Sequence, residues 1–246
     1  PGPEQAQSTA PPEAHERPLT RSASAAAPDA WRGALALDGV NDYATTPYHD
    51  DLAVGNAGQS FTLEAWFDMQ AGSSSPVDRQ HIITSTGSFD FYAVRYYDWG
   101  TGRRYGCIGF AWITASGQSR AVEHCRYPAY ALGLHHAAVV YQSVIGQGRF
   151  YLDGSAFGNA FDMTAGIQIS SGETRVGHNW DCALDELRIS HVARYTGDAY
   201  STPAAPFDCD ANTGALWHFD EFEGLTVFHD VCGADNVLTG WNGAHT

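Results

Sequence analysis

Alternation is clearest in the stretch FTLEAWFDM, residues 61–69. On an extended chain Phe61, Leu63, Ala65 and Phe67 share one face, while Thr62, Glu64, Trp66 and Asp68 share the other. Similar short runs rich in Val, Ile, Phe, Tyr and Trp recur from Trp31 onward: HIITST, FDFYAVRYY, CIGFAWIT, HHAAVVYQSV, GRFYLDG, LDELRIS and ALWHFD. Gly, Asp, Asn and Pro break them every ~8–12 residues, the rhythm of an all-β chain. One apolar and one partly polar face per strand predicts a two-sheet antiparallel sandwich. No long helical pattern, exact repeat or second domain boundary interrupts residues 31–246.

Residues 1–30 read differently. They hold six of the eleven prolines, no aromatic residue and one large aliphatic, Leu19. Such a segment buries too little to offset its ordering entropy. We expect an extended tail, able to reach on the order of 100 Å and so to lie on its own domain or on a neighbouring subunit.

Charge narrows the range of partners. There are 28 acidic residues against 13 basic ones, all arginine, for a net charge of −15 and a pI near 4.9. Nucleic acid is a poor partner for a surface without a basic stripe, whereas cations suit it. No run approaches the ~18 apolar residues of a membrane span. The chain opens on Pro without a signal-like apolar segment, and we read it as processed and exported, secreted or at the cell surface. The cysteines agree: Cys107 and Cys125 could staple a hairpin, Cys209 and Cys232 bracket the last aromatic-rich strand, and Cys182 is left over, either buried or pairing between chains.

In order, ALALDGVNDYATTP, SFTLEAWF, LHHAAVVYQ, GRFYLDG and ALDELRISHVARYTGDAY followed by ALWHFDE resemble the laminin-G-like jelly roll of the concanavalin A-like lectin/glucanase group. The resemblance runs from Trp31 to about Asn242. It implies an all-β jelly-roll sandwich and a calcium ion where the first strand's Asp-Gly bend meets a late-strand Asp. Ca²⁺ takes six to eight oxygens, and a Gly bend exposes carbonyls beside carboxylates. The implied ligands are Asp38, Gly39 through its carbonyl, Asn41, Asp42 and the distant Asp185. Alternation along LDELRIS places Asp185 on the inward face with Leu187 and Ile189, and Glu186 and Arg188 on the other. Without an ion, Asp38 and Asn41 shape a turn and Asp185 accepts backbone N–H bonds.

Other oxygen-rich stretches point to structure. DCDANTG, residues 208–214, starts like an EF-hand loop, but Thr213 stands at the required Gly and Phe219 at the bidentate Glu, so we expect a turn. Glycan-cleaving members of the resembling group carry an E-x-D-x-E set on one strand; its nearest counterpart, Glu221 and Glu223, runs into Gly224 and reads as a solvated strand end. His135 and His136 match a histidine pair that looks structural in the same group. No nucleophile motif, H-E-x-x-H or phosphate loop accompanies them, and we expect no enzyme. Glu64 and Arg188, with Trp66 and Glu186, form either a glycan platform or a cross-strand ion pair under a tryptophan; we expect the ion pair.

Binding determinants fall on rim loops. RYYDWGTGRRYG, residues 95–106, gathers Tyr96, Tyr97, Trp99, Arg103, Arg104 and Tyr105, a combination that suits a sugar acid or an acidic protein edge. Trp180 in GHNWD is a second rim candidate. The expected function is a non-catalytic extracellular binding or adhesion module recognising glycan, matrix or a cell-surface protein, stabilised by calcium and disulfides. The alternative is a self-assembling fibre or surface-layer subunit whose tail docks on the next copy as a homo-oligomer. A glycan-cleaving enzyme is the third reading.

Overall fold

The computed structural model describes residues 33–69, 79–178, 180–233 and 235–246. The expected tail, residues 1–30, lies outside them. Two antiparallel sheets stack face to face. The first is ordered β1 (Leu35–Asp38), β13 (Asp181–Ser190), β3 (Phe61–Met69), β8 (Gly133–Gln142), β9 (Gln147–Leu152) and β10 (Ser155–Ala156); β11 (Phe161–Asp162) pairs with β9 and β14 (Thr213–Trp217) with β13. The second is ordered β15 (Val227–Phe228), β16 (Leu238–Trp241), β2 (Tyr43–Thr46), β12 (Thr174–Val176), β4 (Gln80–Ser85), β5 (Phe89–Asp98), β6 (Arg103–Ile113) and β7 (Ser119–Arg126). Among the described residues the only helical segments are two short 3₁₀ turns.

The alternation of β3 is realised as expected. Phe61, Leu63, Ala65 and Phe67 are fully buried between the sheets. Phe61 meets Phe110 of the other sheet with ring centroids 6.0 Å apart, and Phe110 continues the row to Phe89 and Trp112. Each such side chain contributes roughly 1.5–3 kcal/mol through burial, so this aromatic row is a main source of sandwich stability.

In β13 the simple alternation fails. Leu184 and Leu187 both enter the core, which a regular strand cannot do with two intervening residues. A β-bulge lies between Asp185 and Arg188, with Glu186 at φ +53°. Asp185 therefore stands opposite Trp66, and Arg188 opposite Glu64, on the outward face of β3. The expectation that Asp185 points inward with Leu187 is corrected by this one extra residue.

Residues 191–212 strap across that outward face. Tyr195 and Tyr200 pack with Ala138, Val140 and Tyr151, and Thr62 donates its hydroxyl to the Val192 carbonyl at 2.8 Å. Both expected disulfides form, Cys107–Cys125 across β6 and β7 and Cys209–Cys232 at the end of the strap. Cys182 is free and buried, and burial pushes its thiol pKa well up, which keeps it protonated.

Candidate functional site

The β5–β6 hairpin carries most of the expected binding residues, and strand alternation divides them between two faces. Register pairs Tyr96 with Tyr105 and Asp98 with Arg103 on the outward face, and Tyr97 with Arg104 on the face that continues the core. Tyr96 and Tyr105 are partly buried and stack at 5.4 Å, supporting one another on their own sheet. At the tip Trp99 is 82% exposed and stands edge-on to Tyr97 at 4.7 Å. Asp98 fixes the turn by accepting from the Gly100 and Thr101 amides and the Thr101 hydroxyl. Those bonds hold its carboxyl below the usual range, with the Thr101 hydroxyl the largest cause. Arg103 lies over Tyr127 at 4.7 Å and Arg104 over Tyr97 at 5.6 Å. The tip thus carries Trp99 beside Tyr97, with Arg104 on the Tyr97 face and Arg103 on the opposite one. Trp180 does not join it: it is fully buried against Phe67 at 5.0 Å, a core residue instead of a rim ligand.

At the DGVND bend the implied calcium ligands are only partly brought together. Asp38 pairs in register with Asp181, four residues before Asp185, which places Asp185 roughly 13 Å further along the strand. The bend meets Asp181 instead. Gly39 has φ +80°, and a Cβ there would stand 2.8 Å from the Asp181 Cβ, so the close approach needs glycine. Asp42 Oδ2 accepts the Asp38 amide at 3.0 Å, Asp38 Oδ1 accepts the Val40 amide at 2.8 Å, and the Asn41 carbonyl accepts from Asn242. Asp42 is buried, and its Oδ1 has no hydrogen-bond partner. Burial raises the pKa of Asp42 and of Asp181, and in each the charge of Asp38 raises it further. Two carboxyls disfavoured as anions by burial and by the neighbouring Asp38, one of them with an orphaned oxygen, are chemically suited to an oxygen-seeking cation. The fitting set is Asp38, Asp42 and Asp181.

The Glu64–Arg188 face is closed by the strap. Glu64 has no exposed surface; its Oε1 meets Arg188, and its Oε2 accepts the Tyr195 hydroxyl at 2.5 Å and lies 3.3 Å from His136 Nε2. His136 Nδ1 bonds the Tyr200 hydroxyl. Phe207 stacks under Arg188 at 4.0 Å. A carboxylate, an imidazole and a phenol in series are the parts of a proton relay; Glu64 and His136 are fully buried in it, while Tyr200 is partly exposed. His135 is structural, held between Asp153 and the Ala131 carbonyl. The 208–214 stretch is the expected turn, in which Asp210 accepts from Asn212, Thr213 and Arg194.

Sequence reading missed an open groove of about 460 Å³ on the outer face of the second sheet, lined by Arg79, Thr84, Asp90, Ser119 and Arg120 among others. Asp90 binds the Thr84 hydroxyl at 2.9 Å and His81 Nδ1 at 2.8 Å, with Arg79 at 3.7 Å. The only signal was polar residues at alternate positions of two strands whose mutual register the sequence does not state.

Comparison with known proteins agrees with this architecture. A family profile described as the concanavalin A-like lectin/glucanases superfamily, of laminin-G type, matches residues 38–198. The chain belongs to that family. Among solved structures, a candidate carbohydrate-binding protein from Bacteroides ovatus superimposes with a TM-score of 0.53 at 19% identity, over 87% of this chain and 58% of that one. The chain thus spans little more than half of that protein's length. A heptameric SAP-like pentraxin from Limulus polyphemus gives 0.40 at 14% identity over 65% and 80% of the two chains. The binding domain of botulinum neurotoxin serotype D gives 0.47 at 9% identity over 66% and 39%. At these identities the likeness is one of fold alone. None of the curated proteins compared matches the chain in sequence. The two disulfides and the laminin-G-type domain fit an extracellular protein, and among the described residues no helix is long and apolar enough to cross a membrane.

Proposed function

We propose that this chain is a secreted or cell-surface, non-catalytic glycan-recognition module whose binding edge is the β5–β6 hairpin. The observation that carries the reading is the tip itself. Trp99, 82% exposed, stands beside Tyr97, with Arg103 and Arg104 on the flanking positions. A large exposed indole on a rigid hairpin is a stacking surface for the apolar face of a sugar ring, and guanidinium groups beside it donate to ring hydroxyls. The family supports this, as does the candidate carbohydrate-binding neighbour. The non-catalytic part rests on the complete burial of Glu64 and His136 beneath the strap.

Calcium belongs to the same proposal. Asp38, Asp42 and Asp181 would hold it, and its charge would offset these neighbouring carboxyls and fix the bend against β13.

A glycan array probed with the intact chain and with Trp99→Ala tests the reading. Specific binding that the substitution weakens at least tenfold is expected. Undiminished binding by Trp99→Ala, or no binding to any glycan, overturns it.

A further inference from the structure

We infer that the glycan is an acidic one, and that its carboxylate sits on Arg95, Arg104 and Arg126 at the inner face of the β5–β6–β7 end. This deepens the glycan-recognition reading and rests on it. Register brings the three together: Arg95 stands opposite Gly106, Gly106 opposite Arg126, and Arg104 opposite Tyr97, one step further along the same face. That face is continuous with the core rows Phe91–Phe110 and Ala93–Ile108, so the arginines begin where the core stops. Gly106 leaves a gap between them that the Tyr130 ring partly fills; a Cβ on Gly106 would stand 2.5 Å from that ring. Tyr97 lies under Arg104, and Phe157 under Arg126 at 5.5 Å. The site therefore has an aromatic floor with guanidinium groups above it.

Five of the described arginines are ion-paired, and these three are not. Arg79, Arg149, Arg175, Arg188 and Arg194 each lie within 4.0 Å of a carboxylate. Arg95, Arg104 and Arg126 have no such partner among the described residues, in a chain with 28 acidic residues. The Arg95 Nε is buried and makes no hydrogen bond. Neighbouring acids are engaged elsewhere: Asp153 holds His135 and the His136 amide, and Asp98 holds the hairpin turn. Burial, and then the charge of Arg104, lower the pKa of Arg95, yet guanidinium remains charged at any physiological pH. Arg95 thus stands beside the like charge of Arg104, a repulsion that an incoming carboxylate would relieve.

Planar guanidinium forks match carboxylates in two-point geometry, and aromatic rings beneath them match the sugar ring that carries the acid. The chain's overall charge of −15 does not forbid this, because at physiological salt it is screened beyond about 8 Å while the arginines act at contact.

The experiment is calorimetric titration of the intact chain with oligogalacturonate, with heparin oligosaccharide and with a neutral glucan oligosaccharide. It is repeated on Arg104→Gln and Arg126→Gln, both at exposed positions, with thermal unfolding as the folding control. Oligogalacturonate binding at least tenfold tighter than the neutral glucan, lost at least tenfold in each variant with unfolding temperature kept, is expected. Equal affinity for the neutral glucan, preference for heparin, or unchanged binding in both variants overturns the acidic-carboxylate inference while glycan recognition stands. Failure on these probes together with a blank array sinks both.

Discussion

Arg188 directs Nε and Nη2 at a single oxygen, Oε1 of Glu64, at 2.9 and 2.7 Å, across strands whose residues are 124 positions apart in the chain. The pair joins β3 to β13 on a face that the strap then seals. Removing one member strands the other charge in a dry environment, which costs about 3–5 kcal/mol. Arg188→Ala should lower stability by that amount in urea titrations. The double change Glu64→Leu with Arg188→Met should cost clearly less, and a double variant as unstable as the single one would refute the charge-stranding account.

Glu64 also sets an acid limit. Burial alone would raise its pKa, but the adjoining His136 imidazole, the Arg188 charge and the Tyr195 hydroxyl bring it down to about 2. A carboxyl depressed on folding contributes stability that is complete above its open-chain value of 4.5 and is lost as pH falls toward 2. Stability of the native chain should therefore decline through that window. Glu64→Gln, less stable at pH 7, should show a shallower decline; an identical slope would assign acid sensitivity to other carboxyls.

The failure at β13 shows what the sequence could state and what it could not. Period-two patterning located β3 to the residue, because every apolar side chain there faces the same core. It misplaced Asp185 because a bulge shifts the period by one, and LDELRIS contains no Gly or Asn to announce the left-handed residue that Glu186 supplies. The DGVND bend was legible as an oxygen cluster, but its partner was misassigned for a different reason: the register that brings Asp181 to Asp38 is a long-range pairing. Trp180 in GHNWD, just ahead of the Asp185 strand, looked like a rim residue, yet core packing claimed it. Arg95 and Arg126 escaped notice because three strands had to be aligned before they shared a face.

Cys209–Cys232 ties the strap's end to the segment after β14, closing a sequence separation of 23 residues. Loop closure on that scale stabilises by about 2–4 kcal/mol. Cys209→Ser with Cys232→Ser should lose stability in that range. It should also raise amide exchange across 191–212, since the strap covers Glu64. Exchange confined to the immediate neighbours of the cysteines would show that strap packing holds without the disulfide.

Two tryptophans separate binding from folding. Trp180 is fully buried, so Trp180→Ala should cost about 3–5 kcal/mol. Trp99 is 82% exposed, so Trp99→Ala should shift stability by less than about 0.5 kcal/mol while weakening glycan binding at least tenfold. Chemical denaturation alongside the array decides this. A large stability loss from Trp99→Ala would mean that the indole supports the hairpin instead of a ligand.

The bend offers the sharpest test of register against pattern. If Asp38, Asp42 and Asp181 hold calcium, the ion binds the folded chain alone and stabilises it by mass action, about 2.7 kcal/mol at a hundredfold excess over its dissociation constant. Thermal unfolding should then shift upward in calcium relative to EDTA. Asp181→Asn should abolish most of that shift. Asp185→Asn should keep it, because Asp185 accepts the Glu186 amide within the bulge, four residues from the one opposite Asp38. The reverse pattern would restore Asp185 as the ligand and require β13 to pair with β1 in a different register. No calcium response in any variant would leave the three carboxyls as a repulsive bend stabilised by its backbone bonds alone.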